Sequence, residues 1–318
     1  MQLVKYLFTV IIASLLITGV GTWVINKGLV KSGVDFYGKI NAAGDSTKNT
    51  SLLLVGSSRM LVQVDPKILD SITGLQSYNY GFNAGAIKTC YNIIKYGLHF
   101  QKQTKAVVLN IDYNMFNAEQ DPYKDAYYYP FEKNVPGLVM SDSGKSKWIH
   151  KLQFLDIALY DDFVKFAAID GWLRPGRTVA GLYHGYYPHR ELNDFVAPEL
   201  MPNKKIAVPV TASGMALLDS CIRLCKQNNV LLAMVVAPYF REHAPEKYYT
   251  NYTEIIDLVK NKARQNGIPL YDLTQMPLAT DSHYFYNVNH LNIAGAAIYS
   301  AAIADSLQHY LIKPVQRK

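Results

Sequence analysis

Three short apolar runs, Ser51–Val55, Ala106–Ile111 and Val230–Val236, constrain this chain more than any other feature. They are rich in Leu, Val and Ile and show little polar alternation, as expected of strands buried on both faces. Two shorter stretches, Gln76–Tyr80 and Pro269–Tyr271, read as further short strands. Helical segments lie between them: a short one from Asp65-Pro66 to about Asp70, then Ile87–Phe100, Ser213–Asn228, Tyr252–Gln265 and Asn292–Leu311. Asp65 supplies a cap, Pro66 fits a first turn, and Gly267 stops the helix before it. Strands alternating with helices predict an α/β protein with a mostly parallel, doubly wound sheet. Ligands meet such sheets at the carboxyl ends of the strands. Those ends carry Gly56-Ser57-Ser58-Arg59-Met60, Gly81-Phe82-Asn83-Ala84-Gly85 and Asp112-Tyr113-Asn114.

Two stretches fall outside that alternation. Tyr6–Ile25 is 20 uncharged residues, about 30 Å of helix and enough to cross a bilayer. Lys5 precedes it and Trp23 stands near its far end, where an interfacial aromatic belongs. No small-x-small cleavage site is evident, so an uncleaved anchor over residues 1–26 is expected. Lys27, Lys31 and Lys39 follow it, so the positive-inside count does not by itself support export of what comes after. Residues 27–50, polar with Gly, Asn, Ser and Lys, read as a stalk. The second stretch, 115–210, interrupts the α/β pattern. It holds Tyr127-Tyr128-Tyr129, Tyr186-Tyr187 and one expected helix over Trp148–Ile169. It reads as an insertion capping the sheet's ligand edge, its rings either stacking on sugars or packing a loop-rich region. The domain is therefore bounded at 51–312, with a basic tail at 313–318.

Composition excludes little. Hydrophobic residues at 49% and charged residues at 18% suit a packed core. The net charge of +7 comes without a dense Lys/Arg run or a DNA-binding motif, so no nucleic-acid partner is expected. Cys90, Cys221 and Cys225 are an odd set with no Cys/His partners to complete a metal site. They read as small buried hydrophobes, and neither metal nor cofactor is expected. Gly56-Ser57-Ser58 lacks the Gly-x-x-x-x-Gly-Lys-Ser/Thr pattern of a phosphate loop. Met60 breaks Gly-x-Ser-x-Gly, which argues against an ordinary α/β-hydrolase elbow. His290, just before the last helix with Asn292 as its cap, can take a proton from a serine hydroxyl at the sheet mouth.

The order of these parts resembles the SGNH/GDSL hydrolase superfamily, over about residues 51–115 and 213–310. There a serine follows strand 1, a glycine strand 2 and an asparagine strand 3, and an Asp-x-x-His pair precedes the last helix. Here the corresponding places hold Gly56-Ser57-Ser58-Arg59, Gly81 and Gly85, Asn114, and His290. The Gly-Ser-Ser variant is similar to a branch of membrane-anchored cell-envelope proteins of teichoic acid D-alanylation and alginate O-acetylation. The resemblance implies a flavodoxin-like sheet, Ser58 as nucleophile and His290 as general base. It implies an oxyanion hole from the Ser58 N–H, a glycine N–H (Gly81 or Gly85) and the Asn114 amide. The sequence departs from the pattern where the acid belongs, three residues before the histidine: that place is Asn287, and Asp281 is the alternative orienting group. Arg59 reads either as a site for an anionic group of the substrate or as half of a structural ion pair. The expected function is serine-dependent acyl transfer or ester hydrolysis on O-acyl groups of a cell-envelope or extracellular glycan. A membrane-bound acyl donor is a further expected partner, and the expected location is extracytoplasmic. The alternative is a catalytically weak or inactive glycan-binding or assembly protein on the same fold.

Overall fold

The computed structural model describes residues 2–139, 144–177, 183–189 and 204–311; the expected tail at 313–318 lies outside them, as do parts of 115–210. The elements run α1 (Gln2–Leu29), α2 (Asp35–Gly44), β1 (Leu52–Gly56), α3 (Ser58–Gln63), α4 (Pro66–Thr73), β2 (Ser77–Gly81), α5 (Ile87–Phe100), β3 (Ala106–Asn110), α6 (Tyr129–Glu132), α7 (Gly144–Lys151), α8 (Asp162–Leu173), α9 (Ala212–Gln227), β4 (Leu231–Val236), α10 (Tyr252–Gln265), β5 (Leu270–Asp272), β6 (Phe285–Asn287), β7 (His290–Leu291) and α11 (Ile293–Leu311). The chain divides into two compact units. One comprises Met1–Gly44 with Tyr123–Ala180, the other Asp45–Pro122 with Gly181–Lys318.

The second unit holds the five-stranded sheet, in the order β2-β1-β3-β4-β5 and parallel throughout. This is the flavodoxin-like doubly wound order, whose switch point lies between β1 and β3. Side chains alternate between the two faces of each strand. Leu52 and Leu54, Ala106 and Val108, and Ala233 and Val235 share a core with Leu69 of α4 and Tyr299, Ile303 and Leu307 of α11. Leu53 points the other way and meets α5, where Gly97 leaves room for it. Both faces are thus covered, which is why the runs lack polar alternation. Truncating a side chain such as Leu54, fully buried, costs about 2–5 kcal/mol in cores of this kind. The helix α3 follows β1 after a single residue, and Ser57 caps it by accepting from the Arg59 N–H.

The first unit overturns the expected stalk and decides an open alternative. Residues 27–50 are not an exposed stalk: α2 buries Phe36, Tyr37 and Ile40. The tyrosines at 127–129 are not a sugar platform either, since all three are buried. Phe36 packs edge-on against Tyr128 at 5.0 Å and stacks with Tyr123 at 5.4 Å, while Tyr37 stacks with Phe163 at 6.1 Å. Such pairs are worth about 0.5–1.5 kcal/mol each beyond the area they bury. The stretch 115–210 is therefore not one insertion, because its part from Tyr123 to Ala180 builds a core with the N-terminal 44 residues. The helix expected over Trp148–Ile169 is broken as well. A 3-10 turn, Gln153–Leu159, separates α7 from α8, and Asp161 starts α8 afresh by accepting from the Val164 N–H. The N-terminal helix α1 spans 28 residues and is long and apolar enough to cross a membrane.

Candidate active site

The end of β1 presents two serines with different surroundings. Ser57 turns inward: its Oγ donates to Asp112 Oδ2 and accepts from the Arg59 N–H. Ser58, the next residue and the first of α3, turns to the open cleft at the carboxyl edge of the sheet. Its Oγ lies 2.9 Å from His290 Nε2, across 232 residues of chain. Because Ser58 opens a helix, its own N–H has no intrahelical acceptor and is free to meet an oxyanion.

His290 is placed by a tight hairpin. Strands β6 and β7 pair antiparallel, with Asn287 opposite His290. Asn287 Oδ1 accepts from the Asn289 N–H at 3.0 Å and the His290 N–H at 2.9 Å. This is the Asx turn that asparagine favours where a chain reverses. The same oxygen lies 3.0 Å from His290 Nδ1. Two backbone donors face it, so the oxygen and not the amide nitrogen of Asn287 occupies this place. Nδ1 must then carry the ring proton, which leaves Nε2 as the acceptor turned to Ser58. The hairpin is itself held, since Gln63 of α3 donates to the Asn289 carbonyl and Asn292 caps α11 while donating to the His283 carbonyl. Burial pushes the His290 imidazole down to about 4; the positive fields of Arg59 and His189 act in the same direction and Asp112 acts against them. The ring is neutral at pH 7 and free to accept a proton.

Asp281 does not orient His290. Its Oδ1 accepts from the His283 N–H and pairs with His283 Nδ1 at 2.8 Å, on the exposed 3-10 turn before β6. Of the two readings of Arg59, which also lines the cleft, the geometry is that of the structural ion pair. Its guanidinium is buried, pairs with Asp112 Oδ1 at 2.9 Å, donates to the Pro238 carbonyl at 2.7 Å and lies 3.5 Å over the Tyr239 ring. Its charge is already neutralised by Asp112 beside Ser58. Neither glycine has an uncommitted N–H: Gly81 donates to Asn79 Oδ1 and Gly85 to the Phe82 carbonyl. A side chain on Gly81 would strike the backbone of Leu61, so its absence lets α3 lie close on β2. Asn114 is exposed and lines the same cleft as Ser58 and His290.

That cleft has a volume of about 260 Å³, and its wall is rich in amides, with Asn114, Asn117, Gln120 and Asn289 beside Tyr113 and Tyr239. Ala84 on its rim adopts a left-handed backbone with φ of 53°, a conformation costing a non-glycine residue about 1 kcal/mol or more. Among the described residues no three His, Cys, Asp or Glu side chains cluster as metal ligands. Sequence reasoning missed Ser57 and Asp112 as the pair that locks the turn. The available signal was an aspartate at the end of β3, the strand beside β1.

No family model matches the chain, and no curated protein matches it. Among solved structures it is similar to a GDSL-like lipase of Bacteroides thetaiotaomicron VPI-5482, at 12% identity and a TM-score of 0.44, over 86% of this chain and 96% of that one. It is similar also to a protein of Bacteroides fragilis NCTC 9343 described as an acylhydrolase, at 11% identity and a TM-score of 0.42, over 82% and 87%. Likenesses this remote say nothing of chemistry, which rests on the distances above.

Proposed function

We propose that the protein transfers acyl groups through an ester on Ser58. The observation that carries this reading is the contact of Ser58 Oγ with His290 Nε2, on a ring whose proton is fixed on the far nitrogen by Asn287. In the first step the Ser58 proton passes to Nε2 as Oγ bonds to the acyl carbon. The carbonyl electrons move onto an oxyanion, met by the Ser58 N–H and the Asn114 amide. One such donor is commonly worth about 2.7–4 kcal/mol in the transition state. The oxyanion then collapses, the bond to the leaving alcohol breaks, and His290 returns the proton to that alcohol. In the second step a water or a second hydroxyl attacks the Ser58 ester by the reverse sequence. Asn287 holds the ring but cannot balance its positive charge, so each step is slower than with a carboxylate.

For the substrate we propose the O-acyl groups of a hydroxyl-rich polymer, a cell-envelope or extracellular glycan. The amide-lined cleft supports this, since amides donate to and accept from hydroxyls. The apolar α1 supports a membrane anchor; the extracytoplasmic location and the membrane-bound acyl donor are proposed from the resemblance of the sequence to the cell-envelope branch. The test is labelling with a fluorophosphonate probe, comparing the unaltered protein with Ser58→Ala, Ser57→Ala and His290→Ala. Labelling should vanish in Ser58→Ala and persist in Ser57→Ala. Labelling that survives Ser58→Ala would overturn the nucleophile. Absence of labelling throughout, with no hydrolysis of p-nitrophenyl acetate, would leave a glycan-binding protein on the same fold.

A further inference from the structure

The first unit carries an apolar surface that its own core does not explain. Helix α8 buries Val164, Ala167, Ala168, Asp170 and Gly171 and leaves Phe166 (55%), Ile169 (57%) and Leu173 (73%) exposed, beyond an exposed Asp162–Lys165 ion pair in its first turns. Those three recur at helical spacing and form one face. An exposed apolar patch rimmed by charge in this way marks a surface that meets lipid or another molecule. Trp148 of α7 and Leu152 and Phe154 around the 3-10 turn, which also packs on α1, are exposed as well.

These elements grip α1 at a definite level. Thr22 Oγ1 donates to the Phe154 carbonyl and accepts from the Ile157 N–H. Tyr160 donates to Asn26, and Trp172 donates to the Val24 carbonyl. Gly28 and Gly171 let the backbones of α1 and α8 touch, because a side chain on either would strike the other helix. Small residues allow the same close approach between helices in membranes. Phe154 also closes an open apolar groove along Leu15, Leu16, Gly19 and Trp23.

The level of that grip decides what covers the surface. A bilayer's hydrocarbon is about 30 Å thick, the length of some 20 helical residues. If the whole collar from 148 to 173 stood clear of lipid, α1 would have to cross with the part before Gly19. From Tyr6 to Thr18 that is only about 20 Å of apolar helix, too short by about 10 Å. If Tyr6–Ile25 crosses as a whole, the contacts of the 3-10 turn at Gly19 and Thr22 lie roughly 5–9 Å inside the apolar boundary, and the α8 contact at Gly28 lies about 5 Å outside it, at headgroup level. Interfacial elements bury their apolar faces to about 5–10 Å, so the two depths agree. Trp172 with Lys31 above its ring at 4.1 Å, and Trp148 with Lys151 at 4.1 Å, are the aromatic and basic pairs of a headgroup boundary.

We infer that the segment from Trp148 to Leu173 is a collar embedded in the interfacial leaflet around the exit of α1, so that the first unit is partly monotopic and its occupant is the bilayer itself. This inference rests on α1 crossing the membrane, and its test separates the two. The full chain, with its three buried cysteines replaced by alanine, receives an environment-sensitive fluorophore at single introduced cysteines. The sites are Leu16→Cys on α1, Phe166→Cys, Ile169→Cys and Leu152→Cys on the collar, and Lys67→Cys as an exposed reference in the other unit. Each is reconstituted in phosphatidylcholine vesicles with or without nitroxide lipids. Collar labels should brighten about threefold over the reference and be quenched most by nitroxide near the headgroup, and the Leu16 label by nitroxide deeper in the chain. Leu16 quenched while the collar labels behave like Lys67 overturns the collar and keeps the anchor. No quenching at Leu16 overturns the anchor and the collar together. Collar labels shielded from aqueous iodide yet untouched by any nitroxide lipid overturn the lipid occupant in favour of a protein one. The native tryptophans, Trp23, Trp148 and Trp172, read by brominated lipids in the unaltered chain, should show the same depths and so exclude an effect of the substitutions.

Discussion

Two histidines stand within eight residues of each other before α11, and each is paired with a short polar side chain upstream. His283 has a carboxylate, Asp281, at 2.8 Å. His290 has an amide, Asn287, at 3.0 Å. The pair with the better electrostatics is exposed and faces no serine; the pair with the poorer electrostatics is the one that meets Ser58. The difference shows that position, not the strength of the partner, decides which imidazole meets Ser58. The carboxylate at the site belongs to Asp112, and it is committed to Arg59 and Ser57. An ionised acid beside His290 would be a second negative charge in this buried region. An amide held by two backbone N–H groups fixes the same tautomer without that charge.

The comparison breaks most sharply at His290. His290→Ala should lower kcat/KM for a p-nitrophenyl ester by about 10²–10⁴-fold, the usual worth of a general base, while His283→Ala should leave it nearly unchanged. Equal losses in the two variants would remove the distinction. Next in size is the buried acid. Asp112→Asn would strand the Arg59 charge and cost about 3–5 kcal/mol of stability in urea unfolding. Asp281→Asn, with both groups exposed, should leave the urea midpoint nearly unchanged.

Those two aspartates also show what can be read from sequence alone. Strands β1, β3 and β4 were legible because double-sided burial imprints itself on a run of Leu, Val and Ile; β2, Ser77-Tyr78-Asn79-Tyr80-Gly81, is just as buried without one. Ser58, His290 and Asn287 stood out because each lies at the end of an element. Arg59 was not legible: adjacency to a nucleophile does not reveal that a side chain turns inward, and here its partner Asp112 comes from another strand. Asp281 and Asn287 were both open as partners for His290, since only the pairing of β6 with β7 brings Asn287 opposite it. The glycines were misjudged for a related reason. A missing side chain signals close approach, but whether the N–H is free depends on Asn79 and the Phe82 carbonyl. The core of the first unit was invisible because Phe36 and Tyr37 find their aromatic partners about ninety residues or more downstream.

The pH dependence sharpens the comparison from the side of the solvent. His290 in the folded protein titrates at about 4, below its ordinary 6.5. It serves as a base only when neutral, so kcat/KM should hold nearly level from pH 8 downward and fall as pH drops through about 4. An acidic limb near 6.5 would show that burial does not set the base. The sign for stability follows from the same inequality. Between pH 6.5 and about 4 the unfolded chain binds a proton that the folded chain excludes, so His290 makes the fold less stable as pH falls through that window. His290→Gln should flatten that part of the stability profile.

The finest test gives His290 the partner that His283 already has. In Asn287→Asp the carboxylate would still accept the Asn289 and His290 N–H groups, which favours its ionised form. It would keep the ring proton on Nδ1 and add a counter-charge for the imidazolium formed during the reaction. Raising the imidazole by about one pH unit is worth about 1.4 kcal/mol, or tenfold in rate where proton transfer limits turnover. The acidic limb should move upward by the same amount, a signature that a mere change in packing does not produce. If the rate rises and the limb moves, Asn287 limits the native enzyme only by its missing charge, as its geometry implies. If neither changes, no positive charge builds on His290, and the contact with Ser58 is a hydrogen bond without a catalytic step behind it.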